Sequence, residues 1–310
     1  NEYINNINLM IDSPKTLSIG ISISKKIDES QLEQDDIQFL VQEAKQQILK
    51  YNKNKNITHI IINNYKINDT DYDYLPLNTK CNFIALDILF ICLPEKIIEY
   101  YKNIFYKFDI SINQIISSSY AKTKDYGENF PSHGSISFID FGFNETSVIT
   151  YTNNKVTYLS TLPIGGNHIT QDISKVLKIN LEQAEKIKIN LYKKNTFLND
   201  ENFSLEFLEK IIFARTEEII KMCAQSIKLS SIIKDSFKVV LMGEGSKILN
   251  NQYKDKISIS YDLDFLEEKI EDVCRAGFLL GKDLNIDEVT IVPKKLAKQG
   301  FFEKFFHFFN

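Results

Sequence analysis

Residues 163–173 have the sequence PIGGNHITQDI, in which two adjacent glycines, Gly165 and Gly166, precede Asn167. Asn is among the residues preferred at the N-cap of a helix, so we predict a helix that begins near Asn167. Glycine lets a ligand approach the backbone closely, and the free N–H groups at a helix N-terminus attract anions. This stretch therefore predicts an anion-binding turn.

Three strand-like stretches come directly before this turn. Asp140 and Gly142 lie at the end of the first stretch and just after it. A glycine there lets backbone N–H groups approach a phosphate, while the Asp can accept hydrogen bonds from the water molecules around a Mg²⁺ ion. Asn144 tolerates the left-handed conformation that such a turn can require. Phe143 and Glu145 follow, and Phe adds bulk while Glu adds charge repulsion beside a phosphate, so a purely structural β-turn remains the alternative.

The order strand, Asp-Phe-Gly turn, hairpin, strand and helix is that of the phosphate-binding hairpin of actin-like ATPases. Together with residues 163–173, it resembles the bacterial cell-division protein FtsA, an actin homologue. Residues 181–188 (LEQAEKIK) and 239–248 (VVLMGEGSKI) are similar to the next helix and the second glycine turn of that family. The resemblance implies an α/β, actin-like (ribonuclease H-like) ATPase fold with the FtsA-type subdomain 1C.

The resemblance also implies ATP and Mg²⁺ as cofactors, with Asp140 acting on Mg²⁺ through a water molecule. Glu185 and Lys188 would reach the adenine and the ribose, although an ordinary surface ion pair has the same helical spacing. The residues implied in nucleotide binding are Asp140, Gly142, Asn144, Gly165, Gly166, Asn167, Glu185, Lys188, Gly243, Gly245 and Ser246. No residue is assigned as catalytic, so we expect a weak ATPase at most.

The first third of the chain, residues 16–112, predicts the order β-α-β-β-α-β. Its first helix should begin near Asp35 and carry one apolar stripe, formed by Ile37, Leu40, Val41, Ala44 and Ile48. A segment rich in Ser and Tyr follows, and then the turn-rich stretch Asp125 to Gly134. Asn153 and Asn154 predict a tight hairpin, because Asn tolerates positive φ. A last long helix is expected from about Phe265 to Gly281.

By the resemblance, the chain divides into named subdomains. These are 1A at residues 1–15 (in part) and 113–134, 1C at 16–112, 2A at 135–180 and 236–264, 2B at 181–235, a connecting helix at 265–284, a linker at 285–300 and an amphipathic helix at 301–310. The first phosphate loop of the family would precede Asn1. We therefore expect either a missing amino-terminal segment or the loss of tight nucleotide binding.

The composition indicates which classes of binding partner and which cellular location to expect. The chain has 310 residues, a formal net charge of −4 and two arginines, Arg215 and Arg275. Recognition of phosphates and guanine edges prefers Arg to Lys, so nucleic-acid binding is not expected. The cysteines and histidines show no metal-ligand spacing, and buried free thiols in a reducing cytosol are expected instead. Without a secretory signal or a long apolar run, the protein is expected in the cytosol or on a membrane surface.

The resemblance also predicts a protein partner. In FtsA, the carboxy-terminal peptide of the tubulin-like protein FtsZ docks on subdomain 2B. Residues 214–218 (ARTEE) resemble the receiving helix, in which Arg215 would donate to an acidic group of the peptide. The alternative is a helix-surface arginine that pairs with neighbouring glutamates. Other divisome proteins are expected to bind subdomain 1C.

The carboxy terminus predicts a membrane-binding helix. At about 100° per residue, its six phenylalanines fall on one arc of a helix about 15 Å long, which can lie in a membrane interface but cannot cross the bilayer. The residues expected at an anionic membrane surface are Phe301, Phe302, Lys304, Phe305, Phe306, Phe308 and Phe309. Lys294, Lys295 and Lys298 add electrostatic attraction. A terminal helix packed on the core is the alternative.

Together, these patterns predict an actin-like division protein that polymerises and binds ATP between its two halves. It would tether FtsZ filaments to the cytoplasmic face of the inner membrane at the septum, as a peripheral protein. Polymerisation and attachment would reinforce each other, because many weak tails on one filament act together. Two alternatives remain: a pilus-assembly relative that binds a peptide of an inner-membrane partner, and an actin-fold small-molecule kinase, which needs a carboxylate base.

Overall fold

The computed structural model describes residues 4–127, 134–192, 204–229, 237–248 and 262–282. The strands are β1 (Asn6–Ile11), β2 (Leu17–Gln31), β3 (Lys55–Ile67), β4 (Thr70–Tyr72), β5 (Lys80–Pro94), β6 (Ser111–Ser117), β7 (Ser135–Phe141), β8 (Thr146–Thr152), β9 (Lys155–Leu162), β10 (Phe237–Met242) and β11 (Asp262–Phe265). The helices are α1 (Gln34–Tyr51), α2 (Glu95–Tyr106), α3 (Ser118–Gly127), α4 (Gly166–Leu177), α5 (Leu181–Tyr192), α6 (Leu205–Leu229) and α7 (Ile270–Lys282), with a 3₁₀ turn at Glu244–Ile248. The predicted linker at 285–300 and tail at 301–310 lie outside the described residues.

A five-stranded sheet forms the centre of the second half, in the order β11-β10-β7-β8-β9. β7, β8 and β9 are antiparallel neighbours, whereas β10 and β11 run parallel to β7. Asn153 and Asn154 have φ values of 50° and 62°, which confirms the predicted tight hairpin between β8 and β9. β7 and β10 thus end side by side, with Met242 in register with Asp140.

Helices cover both faces of this sheet. On one face, buried residues of α4, α5 and α6, such as Ile173, Ile187 and Ile212, pack against Ile139 and Val148. On the other face, Tyr120 and Tyr126 of α3 pack against β7, β8 and β10. The sheet is therefore buried on both sides, and β8 is buried from Thr146 to Tyr151.

The insert at residues 17–94 is an antiparallel sheet in the order β2-β5-β3-β4, covered by α1. The predicted stripe on α1 is confirmed, because its buried residues are Ile37, Leu40, Val41, Ala44 and Ile48. α1 begins at Gln34, one residue before the predicted start, with acidic side chains in its first turn.

β1 and β6 form a separate, parallel two-stranded sheet. β6 therefore pairs with β1 and not with the insert sheet. On one side of this sheet, Ile98 of α2 packs against Ile11. On the other side, Gly277 of α7 lies against Met10, where the lack of a side chain permits close contact.

Two expectations from the sequence are wrong. Residues 118–127 form α3, so Asp125 belongs to a helix and not to a turn-rich stretch. The last helix begins at Ile270 and not near Phe265, since residues 262–265 form β11 beside β10. Within the described residues, no helix combines the length and the apolar character needed to cross a membrane.

Candidate functional site

Three turns converge at the carboxyl end of β7, and glycine is what lets their backbones touch. A Cβ atom on Gly165 would lie 2.6 Å from the carbonyl oxygen of Gly142, and one on Gly245 would lie 2.6 Å from that of Phe141. Gly243 has φ +89° and would place a Cβ 2.5 Å from Oδ1 of Asp140. The structure thus brings together the turn that follows β7, the turn before α4 and the turn that follows β10.

The N-terminus of α4 is held by the turn that follows β7. The N–H of Gly166 donates to the carbonyl of Gly142 (3.0 Å), and the N–H of Asn167 donates to that of Phe143 (2.7 Å). Gly165 is the N-cap. The prediction that Asn167 caps the helix is therefore wrong; its side-chain amide instead donates to Oδ1 of Asn144 (3.1 Å). The first donors of α4 stabilise the turn in this structure and do not point to open solvent.

Glu185 and Lys188 reach the same place from α5. Nζ of Lys188 donates to the carbonyl oxygen of Gly166 (3.0 Å) and to Oγ1 of Thr170 (2.8 Å), and it lies 2.7 Å from Oε2 of Glu185. Thr170 also donates to Glu185. Burial lowers the pKa of Lys188, and the nearby carboxylate of Glu185 offsets part of this effect. The pair is thus a partly buried network against α4 and not an ordinary surface ion pair.

A buried lysine, Lys122 of α3, neutralises Asp140. Its Nζ lies 2.5 Å from Oδ2 of Asp140 and 3.2 Å from Oε2 of Glu268, and the three side chains are 7%, 12% and 6% exposed. The hydroxyl of Tyr126 donates to the other oxygen of Glu268 (3.0 Å). Burial alone would lower the pKa of Lys122, but the two carboxylates outweigh it and raise that pKa. Lys122 is therefore charged.

Two further carboxyl groups face Asp140. Asp12 follows β1 and accepts hydrogen bonds from the hydroxyl of Ser117 (2.8 Å) and the N–H of Ser119 (2.9 Å). Burial, together with the charge of Asp140, raises its pKa. Burial, Asp12 and Asp140 also raise the pKa of Glu145 to about 7. A carboxyl group with this pKa can exchange a proton at neutral pH, which is a property of general bases.

The sequence did not reveal Asp12, Lys122 or Glu268 as site residues. They are more than 100 residues apart from first to last, and none belongs to a motif. Asp12 carried one usable signal, since it directly follows an apolar strand, where functional carboxylates often lie. Lys122 carried none, because the helix that buries it was not predicted.

The surroundings of Asp140 do not fit a Mg²⁺ ion. Mg²⁺ needs oxygen ligands at about 2.0–2.1 Å and keeps several waters around it. Here Oδ2 of Asp140 contacts Lys122, and Oδ1 faces the backbone of Gly243. Among the residues that the structure describes, no group of three or more His, Cys, Asp or Glu side chains is arranged to hold a metal ion.

Arg215 lies away from this site, on α6. Its Nε and Nη2 donate to the two carboxylate oxygens of Asp172 on α4 (2.5 and 3.1 Å), and its Nη1 donates to Glu218 (2.6 Å). The bidentate pair joins α6 to α4. An acidic peptide could reach Nη1 by replacing Glu218, whose side chain is 52% exposed.

Residues 137–210 match the family model "Cell division protein FtsA", and these residues run from β7 to the start of α6. A cell division protein FtsA of Streptococcus pneumoniae is 32% identical over 125 residues, which cover 36% of this chain and 27% of that protein. The cell division protein FtsA of Buchnera aphidicola is 24% identical in an alignment of 356 residues, which covers 100% of this chain and 84% of that protein.

Among solved structures, the chain is similar to the PilM-PilN type IV pilus biogenesis complex, with a TM-score of 0.59 and 12% identity over 86% of this chain and 77% of that chain. At such low identity, the likeness concerns the fold alone. The protein has the actin-like ATPase fold that the sequence predicts. In sequence, the chain is similar to the FtsA proteins named above.

The close packing of the glycine turns predicts that alanine substitutions at two adjacent positions, Gly165 and Gly166, differ sharply in their effect on the free energy of unfolding. Gly165→Ala should lower the free energy of unfolding by about 1–3 kcal/mol, because the new Cβ meets backbone atoms that cannot move independently. Gly166→Ala is the matched control, since its Cβ finds its nearest neighbour at 3.6 Å. Urea unfolding of both variants measures the difference. Equal losses would contradict the packing described here.

Glu145 predicts a pH-dependent difference in stability. Its pKa rises from an ordinary 4.5 to about 7 in the folded protein, so the folded state holds the proton more tightly than the unfolded state. The stability that results is present below the ordinary pKa and is lost as pH rises through the folded pKa. We therefore expect Glu145→Gln to become more stable relative to the unaltered protein between about pH 5 and about pH 8. Thermal unfolding across this range tests the effect, and a constant difference would contradict it.

Proposed function

We propose that this protein acts in bacterial cell division as an actin-like protein that polymerises and tethers FtsZ filaments to the cytoplasmic face of the inner membrane at the septum, with ATP bound between its halves. One observation carries the proposal. The segment that matches the FtsA family model is the segment that brings Asp140, Gly142, Gly165 and Lys188 together. The sequence relatives named above are cell division proteins, which favours the same role.

The position of the glycine turns supports a nucleotide site. In open α/β sheets, ligands bind outside the carboxyl ends of the strands, and here the parallel strands β7 and β10 end side by side in glycine turns. Lys188 lies next to Gly166, in an ion pair with Glu185. We expect the bound ATP to favour polymerisation more than rapid hydrolysis.

Membrane attachment rests on the sequence of the tail, since residues 301–310 lie outside the described residues. One short amphipathic helix holds a single molecule weakly and reversibly. A filament presents many such helices side by side, so that each bound tail raises the effective concentration of the next at the surface. Polymerisation and attachment thereby stabilise each other.

The pilus-type alternative shares the fold, as the likeness to the PilM-PilN complex indicates, but fold alone does not assign function. It differs from the tether in one testable respect, since it does not need the aromatic tail. The kinase alternative requires a base beside an acceptor substrate, and Glu145, with a pKa of about 7, is a described group that suits that task.

The tether predicts that the tail is required for membrane binding. The full chain should float with vesicles that contain anionic lipid, and a chain lacking residues 301–310 should stay in the dense fraction. Phe305→Ser, on the apolar arc, should reduce flotation, whereas His307→Ser, on the polar arc, serves as the matched control. Undiminished flotation without the tail would contradict the tether and favour the pilus-type alternative.

The assignment of Arg215 predicts opposite effects of two substitutions. Arg215→Gln should weaken the binding of an FtsZ carboxy-terminal peptide about tenfold, because a charge-assisted hydrogen bond is lost. Glu218→Gln should strengthen binding, since it removes the carboxylate that competes for Nη1. Lys210→Gln, which removes an exposed cation of the same helix, is the control. Fluorescence anisotropy measures all three, and unchanged affinity in Arg215→Gln would exclude Arg215 from the peptide site.

A further inference from the structure

The ammonium group of Lys122 occupies the side of Asp140 where a metal ion would have to bind. Nζ lies 2.5 Å from Oδ2 of Asp140 and 3.2 Å from Oε2 of Glu268. A lysine has three N–H donors, and these two carboxylates accept from it. The group is therefore placed as a buried monovalent cation between two carboxylates.

The second oxygen of Asp140 is also covered. Oδ1 faces Gly243, so closely that a Cβ there would lie 2.5 Å away. A Mg²⁺ ion bound directly would have to displace either the lysine or the backbone of this turn. An ion bound through water on the side of Oδ2 would meet the charge of Lys122 at short range, where two cations repel strongly.

We propose that Lys122 supplies, from within the chain, the positive charge that a divalent cation would supply at Asp140, and that it excludes such a cation. Asp140 then has a counter-charge without Mg²⁺. A nucleotide held by the glycine turns, as the proposed function requires, then binds equally well with and without Mg²⁺.

The charge distribution supports this role. Asp12, Asp140, Glu145 and Glu268 gather at one end of the fold, and burial of several carboxylates without a counter-charge is costly. Lys122 is the cation that the structure places in ion-pair contact with two of them. Its pKa is raised in spite of its burial, which is consistent with a permanent charge.

A titration of the full chain with Mn²⁺, followed by electron paramagnetic resonance, tests the exclusion without any nucleotide. The unaltered protein should bind no Mn²⁺ that depends on Asp140, as judged against Asp140→Asn. Lys122→Gln should gain one bound Mn²⁺ per chain, and Lys122→Gln/Asp140→Asn should lose it again. Lys124→Gln is the matched control, because it removes the same charge from the same helix, two residues away.

Two results of the Mn²⁺ titration would contradict the proposal. Asp140-dependent Mn²⁺ binding by the unaltered protein would overturn the proposal. Absence of Mn²⁺ from both the unaltered protein and a folded Lys122→Gln would overturn the role of Lys122, because the carboxylates themselves would then lack a metal site. Circular dichroism establishes whether the variants fold.

A second measurement needs no variant. The affinity of the unaltered protein for a fluorescent ATP analogue should agree within about twofold between buffers containing Mg²⁺ and EDTA, whereas a loss of about tenfold or more in EDTA would overturn the proposal. Absence of binding in both buffers would instead remove the nucleotide from the proposed function. The Mn²⁺ titration of the unaltered protein would then decide the role of Lys122.

Discussion

The ion pairs of Lys122 with Asp140 and Glu268 are the interaction on which the candidate site depends. They join α3 and the end of β7, which are successive elements, to the segment before α7, which lies more than 100 residues further along the chain. Removal of one partner from a buried ion pair commonly costs about 3–5 kcal/mol, because the charge that remains has no partner. The three segments are thus held in one arrangement by electrostatics as well as by apolar packing.

Around this centre, the backbone geometry is set by glycine. The turns that follow β7 and β10 and the turn before α4 approach each other so closely that side chains at Gly165, Gly243 or Gly245 would overlap with main-chain atoms or with Asp140. The same closeness lets the first N–H groups of α4 donate to carbonyl oxygens of the turn. The result is a rigid edge of the sheet, and its rigidity is what would allow it to position a nucleotide.

Sequence reasoning was accurate where the signal is local. The hairpin at Asn153 and Asn154, the apolar stripe of α1 and the actin-like fold class were all predicted, because turn residues, helical periodicity and motif order are properties of short segments. It failed for α3, whose Ser, Tyr and Lys residues show no helical stripe although most of them are buried. β11 was missed because it has only four residues and its last residue, Phe265, was assigned to the following helix.

The candidate site shows the same division. The glycine turns were predicted from the sequence alone. Asp12, Lys122 and Glu268 come together only after folding, and no motif indicates that Lys122 forms an ion pair with Asp140. A double-mutant cycle with Lys122→Met and Asp140→Asn, measured by urea unfolding, tests the central interaction directly. We predict a coupling free energy of about 2–3 kcal/mol. Effects that add to within about 0.5 kcal/mol would contradict this account, because the two side chains would then act independently.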